Sequence, residues 1–251
     1  MKLLFVGDTH GEKDLGKVNH FLAHANLRRN DAIIHCGDIG VAWAGEEDPA
    51  LFFWRSLPMK VILCLGNHEN YPWIMRQPIV RRFGARGYDL GGQVFAPLPG
   101  QTVRLGRKKL WFYPGGFSID YPWRTPGKSI HMEELMENAA STLIIKNAMR
   151  RKAIDYIISH DGPLTWVRDN LGFPIQPPPE SYWNHLKAPL HSRAHPAFAL
   201  DAVYKNPDIY TRWYFGHHHV DIEQNNLRCL WKIAVLEDTI TGDYRLIDSS
   251  L

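Results

Sequence analysis

Five short polar motifs carry the residue types that bind divalent cations: Asp8-Thr9-His10, Gly37-Asp38, Gly66-Asn67-His68-Glu69, Ser159-His160-Asp161 and Gly216-His217-His218-His219. Carboxylate oxygens, imidazole nitrogens and one side-chain amide form a mixed oxygen and nitrogen donor set suited to a metal site. Any one of these motifs alone is ordinarily a turn with a polar residue in it. As a series they are hard to reach by chance. Each follows an apolar run, with 30 residues from Asp8 to Asp38 and 29 from Asp38 to Asn67.

The apolar runs are the elements that must position the motifs. Leu3 to Val6, Ala32 to Ile34 and Val61 to Leu65 read as buried strands, as do Ala153 to Ser159 and Arg212 to Phe215. Between the first strands, Leu15, Val18, Phe21, Leu22 and Ala25 recur at helical spacing, and a short helix is expected over Pro49 to Leu57. The βαβαβ alternation implies parallel strands joined by right-handed crossovers. In such a sheet, polar groups released past the carboxyl ends of the strands gather along one rim, where ligands bind. A further helix is expected over Tyr71 to Phe83, and a long one over Met132 to Arg150. A hairpin around Gly106-Arg107 and a helix over Pro196 to Tyr204 complete the regular elements, with closing strands over Leu227 to Ile233 and Asp243 to Ile247. The many prolines between Gly162 and His195 argue against long regular elements there.

On these motifs the chain resembles the calcineurin-like metallophosphoesterase superfamily, whose signature is D-x-H, G-D, G-N-H-[DE], H and G-H-x-H. The resemblance runs from Asp8 to His219, and every ligand position of the signature is filled. It implies an α/β fold, a four-layered sandwich of two mixed β-sheets flanked by helices. It also implies two divalent ions, one on Asp8, His10 and His219 and the other on Asn67, His160 and His217, with Asp38 bridging them. The activity implied is hydrolysis of a phosphomonoester or phosphodiester, by in-line attack of a hydroxide shared between the ions. His68 then stands as the proton donor to the leaving group, with Glu69 and Asp161 as supporting acceptors that orient imidazoles. Manganese is the first expectation for both ions, since this donor set does not select strongly for zinc; iron or zinc comes second.

The substrate is where the chain departs from its relatives. Protein phosphatases of this superfamily carry G-D-x-x-D-R-G after the second strand, whereas here the stretch reads Gly37-Asp38-Ile39-Gly40-Val41-Ala42-Trp43. Valine cannot accept a proton, and alanine cannot fork onto a phosphate. Arg124, in the loop from Gly115 to Arg124, is the replacement nominated for phosphate contact, with Asp120 supporting it. Trp43, together with Tyr71, Trp73 and Trp123, is nominated as an aromatic wall for a base or phenyl ring. A small-molecule or nucleotide ester is the leading substrate class. A phosphoprotein is the alternative, and a non-catalytic metal-binding scaffold the third reading.

The whole chain excludes other classes. Its 251 residues are expected to form one domain, and 45% hydrophobic residues are ample for a core. A net charge of +3 gives no strong case for a nucleic-acid partner. Three scattered cysteines argue against a disulfide framework, and no apolar run reaches the length of a membrane span. A cytoplasmic location is the expectation. Of the thirteen histidines, His20, His24, His131, His185, His191 and His195 sit outside the motifs and are expected to be incidental.

Overall fold

The computed structural model describes residues 1–151 and 153–250. Two sheets lie at its centre. The larger has eight strands, in the order Tyr244–Asp248, Ile233–Asp238, Lys2–Val6, Ala32–His35, Lys60–Leu63, Val94–Pro97, Ala85–Asp89 and Ile79–Arg82. Its four middle strands, from Lys2–Val6 to Val94–Pro97, are mutually parallel, and both flanks are antiparallel. The smaller sheet runs Ile222–Gln224, Leu227–Cys229, Tyr210–Phe215, Ile154–Ser159, Lys108–Tyr113 and Thr102–Leu105, again parallel in the middle.

Alternation along the strands builds the layers. On the first strand Leu3 and Phe5 face a core that also holds Ile34, Ile62, Phe112, Tyr156 and Ile158, so this core is the seam between the two sheets. Leu4 and Val6 point the other way, into a core shared with Val18 and Phe21 of helix Leu15–Ala25 and Leu51 and Trp54 of helix Pro49–Ser56. The far face of the smaller sheet presents Trp111, Ile157, Trp213 and Phe215 to helices Asn138–Met149, Leu164–Leu171 and Pro196–Tyr204. The result is the expected four-layered α/β sandwich, helix–sheet–sheet–helix. Among the described residues, no helix is long and apolar enough to cross a membrane.

Two expected helices are shorter than their sequence suggested. The one expected over Tyr71 to Phe83 stops after one turn, Tyr71–Ile74, and the chain then enters the edge strand Ile79–Arg82. Pro78 lacks the N–H a helix would need, and the β-branched pair Ile79-Val80 prefers the pleated strand, which turns back at Gly84. The one expected over Met132 to Arg150 begins only at Asn138, after a 3-10 turn at Met132–Glu134 and a two-residue strand at Met136–Glu137. The proline-rich stretch is more regular than expected. It holds helices Leu164–Leu171 and Glu180–Leu186, the second packing Tyr182 and Trp183 against Phe117, Ile130 and Leu135.

Candidate active site

Each motif sits just past a strand, and the two sheets bring their ends together. Asp8, Asp38 and Asn67 come from the larger sheet, His160 and His217 from the smaller. Asp8, Asp38 and His160 are fully buried and their donor atoms lie within 4.8 Å of one another, as do those of Asp8, His10 and His219. Asn67 Oδ1 is 2.9 Å from His160 Nε2 and 3.0 Å from His217 Nδ1. Asp38 stands between these groups: its Oδ1 is 3.2 Å from His160 Nε2 and its Oδ2 is 3.7 Å from His10 Nε2. All seven residues expected as ligands therefore converge.

The backbone is bent to achieve this. Asp8, His10, Asp38, His217 and His219 all have φ between 43° and 70°, in the left-handed region that such residues rarely enter. Each position costs on the order of 1 kcal/mol or more, which the surrounding structure must absorb, and such strain clusters at functional sites. Glycine neighbours supply the room. A Cβ on Gly66 would come within 2.2 Å of Asp38 Oδ1, and one on Gly216 within 2.2 Å of Asp8 Oδ2.

The donor chemistry fits divalent cations. His160 Nδ1 donates to Cys36 O at 2.9 Å and His10 Nδ1 to Asp14 Oδ2 at 2.9 Å, the outward partners that metal-binding imidazoles usually have. Their Nε2 atoms then face inward, toward carboxylate and amide oxygens. A lone pair facing other acceptors is repulsive unless a positive charge lies among them. Without an ion, that charge falls on His160. Burial opposes it, but the carboxylate of Asp38, with Asp8 behind it, outweighs burial and pushes the ring up to about 10. Asp38 is itself held well below the usual carboxylate range: burial acts the other way, and His160 and His10 prevail.

Sequence comparison bears on the same residues. The calcineurin-like phosphoesterase family matches residues 1–221. The chain belongs to that family. The protein is accordingly a hydrolase of phosphate esters. None of the curated proteins matches it in sequence. Among solved structures, one crystal structure is 12% identical over 98% of both chains with a TM-score of 0.55, a likeness of fold. An archaeal phosphodiesterase is 12% identical over 99% of each chain (TM-score 0.41), and a calcineurin-like phosphoesterase from Bacillus subtilis is 12% identical over 99% of this chain and 88% of its own (TM-score 0.46).

A cavity of about 690 Å³ adjoins the cluster, with Asp38, Asn67, His68, Arg124, His217 and His219 in its lining. Arg124 is buried there. Its Nε is 2.8 Å from Asp120 Oδ1, its Nη1 is 3.4 Å from Asn67 O, and its Nη2 is 2.5 Å from His68 Nε2. Burial lowers the pKa of His68, and Arg124 adds to that against the pull of Asp38. His185, one of the histidines expected to be incidental, fixes this loop through its ring nitrogen, 2.9 Å from Arg124 O.

Three expectations fare differently. Glu69 orients no imidazole: it is fully buried and accepts from the backbone N–H groups of Ile39, Gly40 and Gly66, at 3.0, 3.1 and 3.3 Å. It thus holds together the two turns that carry Asp38 and Asn67, and burial with the nearby Asp38 charge pushes its carboxyl up to about 8. Trp43 does not line the cavity; it stacks on His131 with centroids 6.0 Å apart. Tyr71 and Trp73 are buried against the outer core, while Trp123 is 84% exposed, so the expected aromatic wall does not form from these four. Asp161 reaches the cavity but holds His218 rather than His160, Oδ1 to Nε2 at 3.1 Å, and His195 lies 3.7 Å from its other oxygen.

The apolar lining of the cavity comes instead from Phe117, Ile119, Phe173, Pro174 and Ile175. Beside it runs a chain of buried polar groups that no motif announced. Asn67 Nδ2 donates to Ser118 Oγ at 3.0 Å, Ser118 Oγ donates to Glu134 Oε2 at 2.8 Å, and Tyr182 OH donates to Glu134 Oε1 at 2.9 Å. Burial pushes the Glu134 carboxyl up to about 8, against the hydrogen bonds from Ser118 and Tyr182.

Proposed function

We propose that this phosphoesterase hydrolyses a small-molecule or nucleotide phosphate ester, with two divalent cations held among Asp8, His10, Asp38, Asn67, His160, His217 and His219. The observation that carries the reading is Asp38, which turns Oδ1 toward His160 and Oδ2 toward His10, at 3.2 and 3.7 Å. One carboxylate facing two donor groups with different oxygens is the arrangement a bridging ligand needs. When bound, such ions acidify water to give a nucleophile near neutral pH and draw negative charge from a phosphoryl oxygen. Manganese is the first choice, with iron and zinc behind it, because oxygen and imidazole donors with an amide do not select sharply.

The chain's own residues do the rest. Arg124, anchored by Asp120, offers its guanidinium to the non-bridging oxygens of the phosphoryl group. That contact takes the guanidinium from His68, and the anionic substrate raises the imidazole's affinity for a proton. His68 then holds that proton for the leaving oxygen. The apolar walls of the cavity exclude water and receive the organic part of the ester.

A small ester is favoured over a phosphoprotein by the size of the cavity and by the second motif. Val41 and Ala42, which stand where protein phosphatases place a carboxylate and an arginine, are fully buried in the outer core. The test is a panel of p-nitrophenyl phosphate, bis-p-nitrophenyl phosphate, cyclic nucleotides and a phosphopeptide, each with added Mn²⁺ or with EDTA. Turnover of the small esters is expected, abolished by EDTA and restored by Mn²⁺. Preference for the phosphopeptide would reverse the substrate assignment. Silence toward every ester with Mn²⁺, Fe²⁺ or Zn²⁺ would leave a scaffold.

A further inference from the structure

A primary amide can present either end. Asn67 Oδ1 can face a cation, but its NH₂ group cannot, so an ion beside His160 and His217 needs the amide in one of two nearly isosteric orientations. Ion binding needs His160 neutral, and beside a neutral His160 the wrong one is attractive. With Nδ1 donating to Cys36 O, the inward lone pair of the neutral ring could accept from a flipped Asn67 Nδ2, and the ion would be shut out.

Buried hydrogen bonds decide the matter. Above the raised value of about 8, Glu134 is a carboxylate, which only accepts, and it is met by donors: Ser118 Oγ at 2.8 Å, Tyr182 OH at 2.9 Å and Ser118 N at 3.3 Å. The Ser118 hydroxyl proton is therefore committed to Glu134, and toward Asn67 the hydroxyl presents lone pairs only. A lone pair takes an N–H, as the 3.0 Å contact from Asn67 Nδ2 shows. The flipped amide would set its oxygen against the Ser118 oxygen with no proton between them, in a place water cannot reach, a mismatch worth roughly 1–3 kcal/mol. Ser118, Glu134 and Asn67 are all buried, and Tyr182 is fully so.

We infer that Glu134 is a positioning residue which, acting through the Ser118 hydroxyl and seated by Tyr182, fixes the Asn67 amide with its oxygen toward His160 and His217. The inference rests on the two-cation reading and gives the proline-rich region a task, since Tyr182 comes from its helix Glu180–Leu186. Loss of the relay should weaken one ion of the pair and spare the other. Among the described residues, no hydrogen bond joins Asp8, His10 or His219 to Ser118, Glu134 or Tyr182.

The test is calorimetric titration of the chelator-stripped full chain with Mn²⁺ alone, at a pH above about 8 where Glu134 is ionised, with folding of each variant checked by circular dichroism. The unaltered protein is expected to take two ions. Ser118→Ala and Glu134→Gln should each weaken one binding event by about 10- to 100-fold, the usual effect of removing a partner behind a ligand, and leave the other within about twofold. Ser118→Thr, which keeps the hydroxyl, should restore the weakened event. Tyr182→Phe, the mildest change, should weaken the same event by a few-fold, and it serves if the other variants fail to fold. Unchanged affinities in folded Ser118→Ala and Glu134→Gln would overturn the relay. An unaltered protein that takes no second ion would sink the two-cation reading, and the relay with it.

Discussion

The Arg124 guanidinium lies against the His68 imidazole, with Nη2 2.5 Å from Nε2, so the guanidinium that lines the cavity and the proposed proton donor share a contact. An arginine only donates, so that nitrogen of His68 must be unprotonated while the contact lasts. Arg124→Ala should therefore raise KM more than it lowers kcat, reducing kcat/KM about 10²-fold, because it removes a phosphate contact worth roughly 2–3 kcal/mol. His68→Asn should lower kcat by about 10²- to 10⁴-fold. Both variants should retain wild-type metal content in elemental analysis. Loss of the ions on changing His68 would mean that it is a ligand.

Asp38→Asn should be more severe, because it removes the carboxylate that faces both donor groups. Metal content should fall from two ions to one or none, and phosphoesterase activity should fall with it. Full occupancy with lost activity would assign Asp38 to chemistry rather than to ion binding.

Gly66→Ala probes the same carboxylate from behind. Its Cβ would sit 2.2 Å from Asp38 Oδ1 and 2.5 Å from Asp38 N, so the turn must move. Overpacking of this kind costs about 1–3 kcal/mol. A lower Tm together with weaker Mn²⁺ binding is expected. A lower Tm with unchanged binding would show that the turn moves without taking Asp38 along.

Glu134 makes a prediction about acidity. Its carboxyl is raised from 4.5 to about 8, so between those values the folded chain binds a proton more tightly than the unfolded one. Its contribution to stability is fully present below the unfolded value and is lost as pH rises through the folded one. Over the window from about 4.5 to 8 the metal-free protein should lose on the order of a few kcal/mol from this group alone. Glu134→Gln should flatten that part of the curve in urea unfolding. An unaltered slope would mean that Glu134 titrates normally.

Phe173→Ala and Ile175→Ala should raise KM for aryl esters several-fold and leave kcat nearly unchanged, since these walls touch the organic part of the substrate and not phosphorus. A fall in kcat at unchanged KM would place them in the chemistry.

The cluster of candidate ligands was legible in the sequence because each of the five motifs follows its own strand, so a local pattern carried the tertiary placement. Asp8, Asp38 and Asn67 could be placed this way, as could His160 and His217. What failed was whatever depends on where a side chain points after the turn. Glu69 stands two residues from Asn67 but folds under the neighbouring turn to collect backbone N–H groups, and Trp43 leaves the rim to stack on His131. The helix expected past Tyr71 was lost to Pro78, a signal present in the sequence and outweighed by the apolar spacing around it. Ser118, Glu134 and Tyr182 carry no motif at all. They meet only because three distant segments fold over Asn67, and His195 joins Asp161 in the same way.

Asp8, Asp38 and Asn67 leave one sheet and His160 and His217 leave the other, so the donor groups straddle the seam between the sheets. Cations held there would act as a clasp as well as a reagent. Stripping them should let the two halves breathe apart at that rim, with faster amide exchange at the strand ends around Val6 and Ser159 while the opposite rim stays closed.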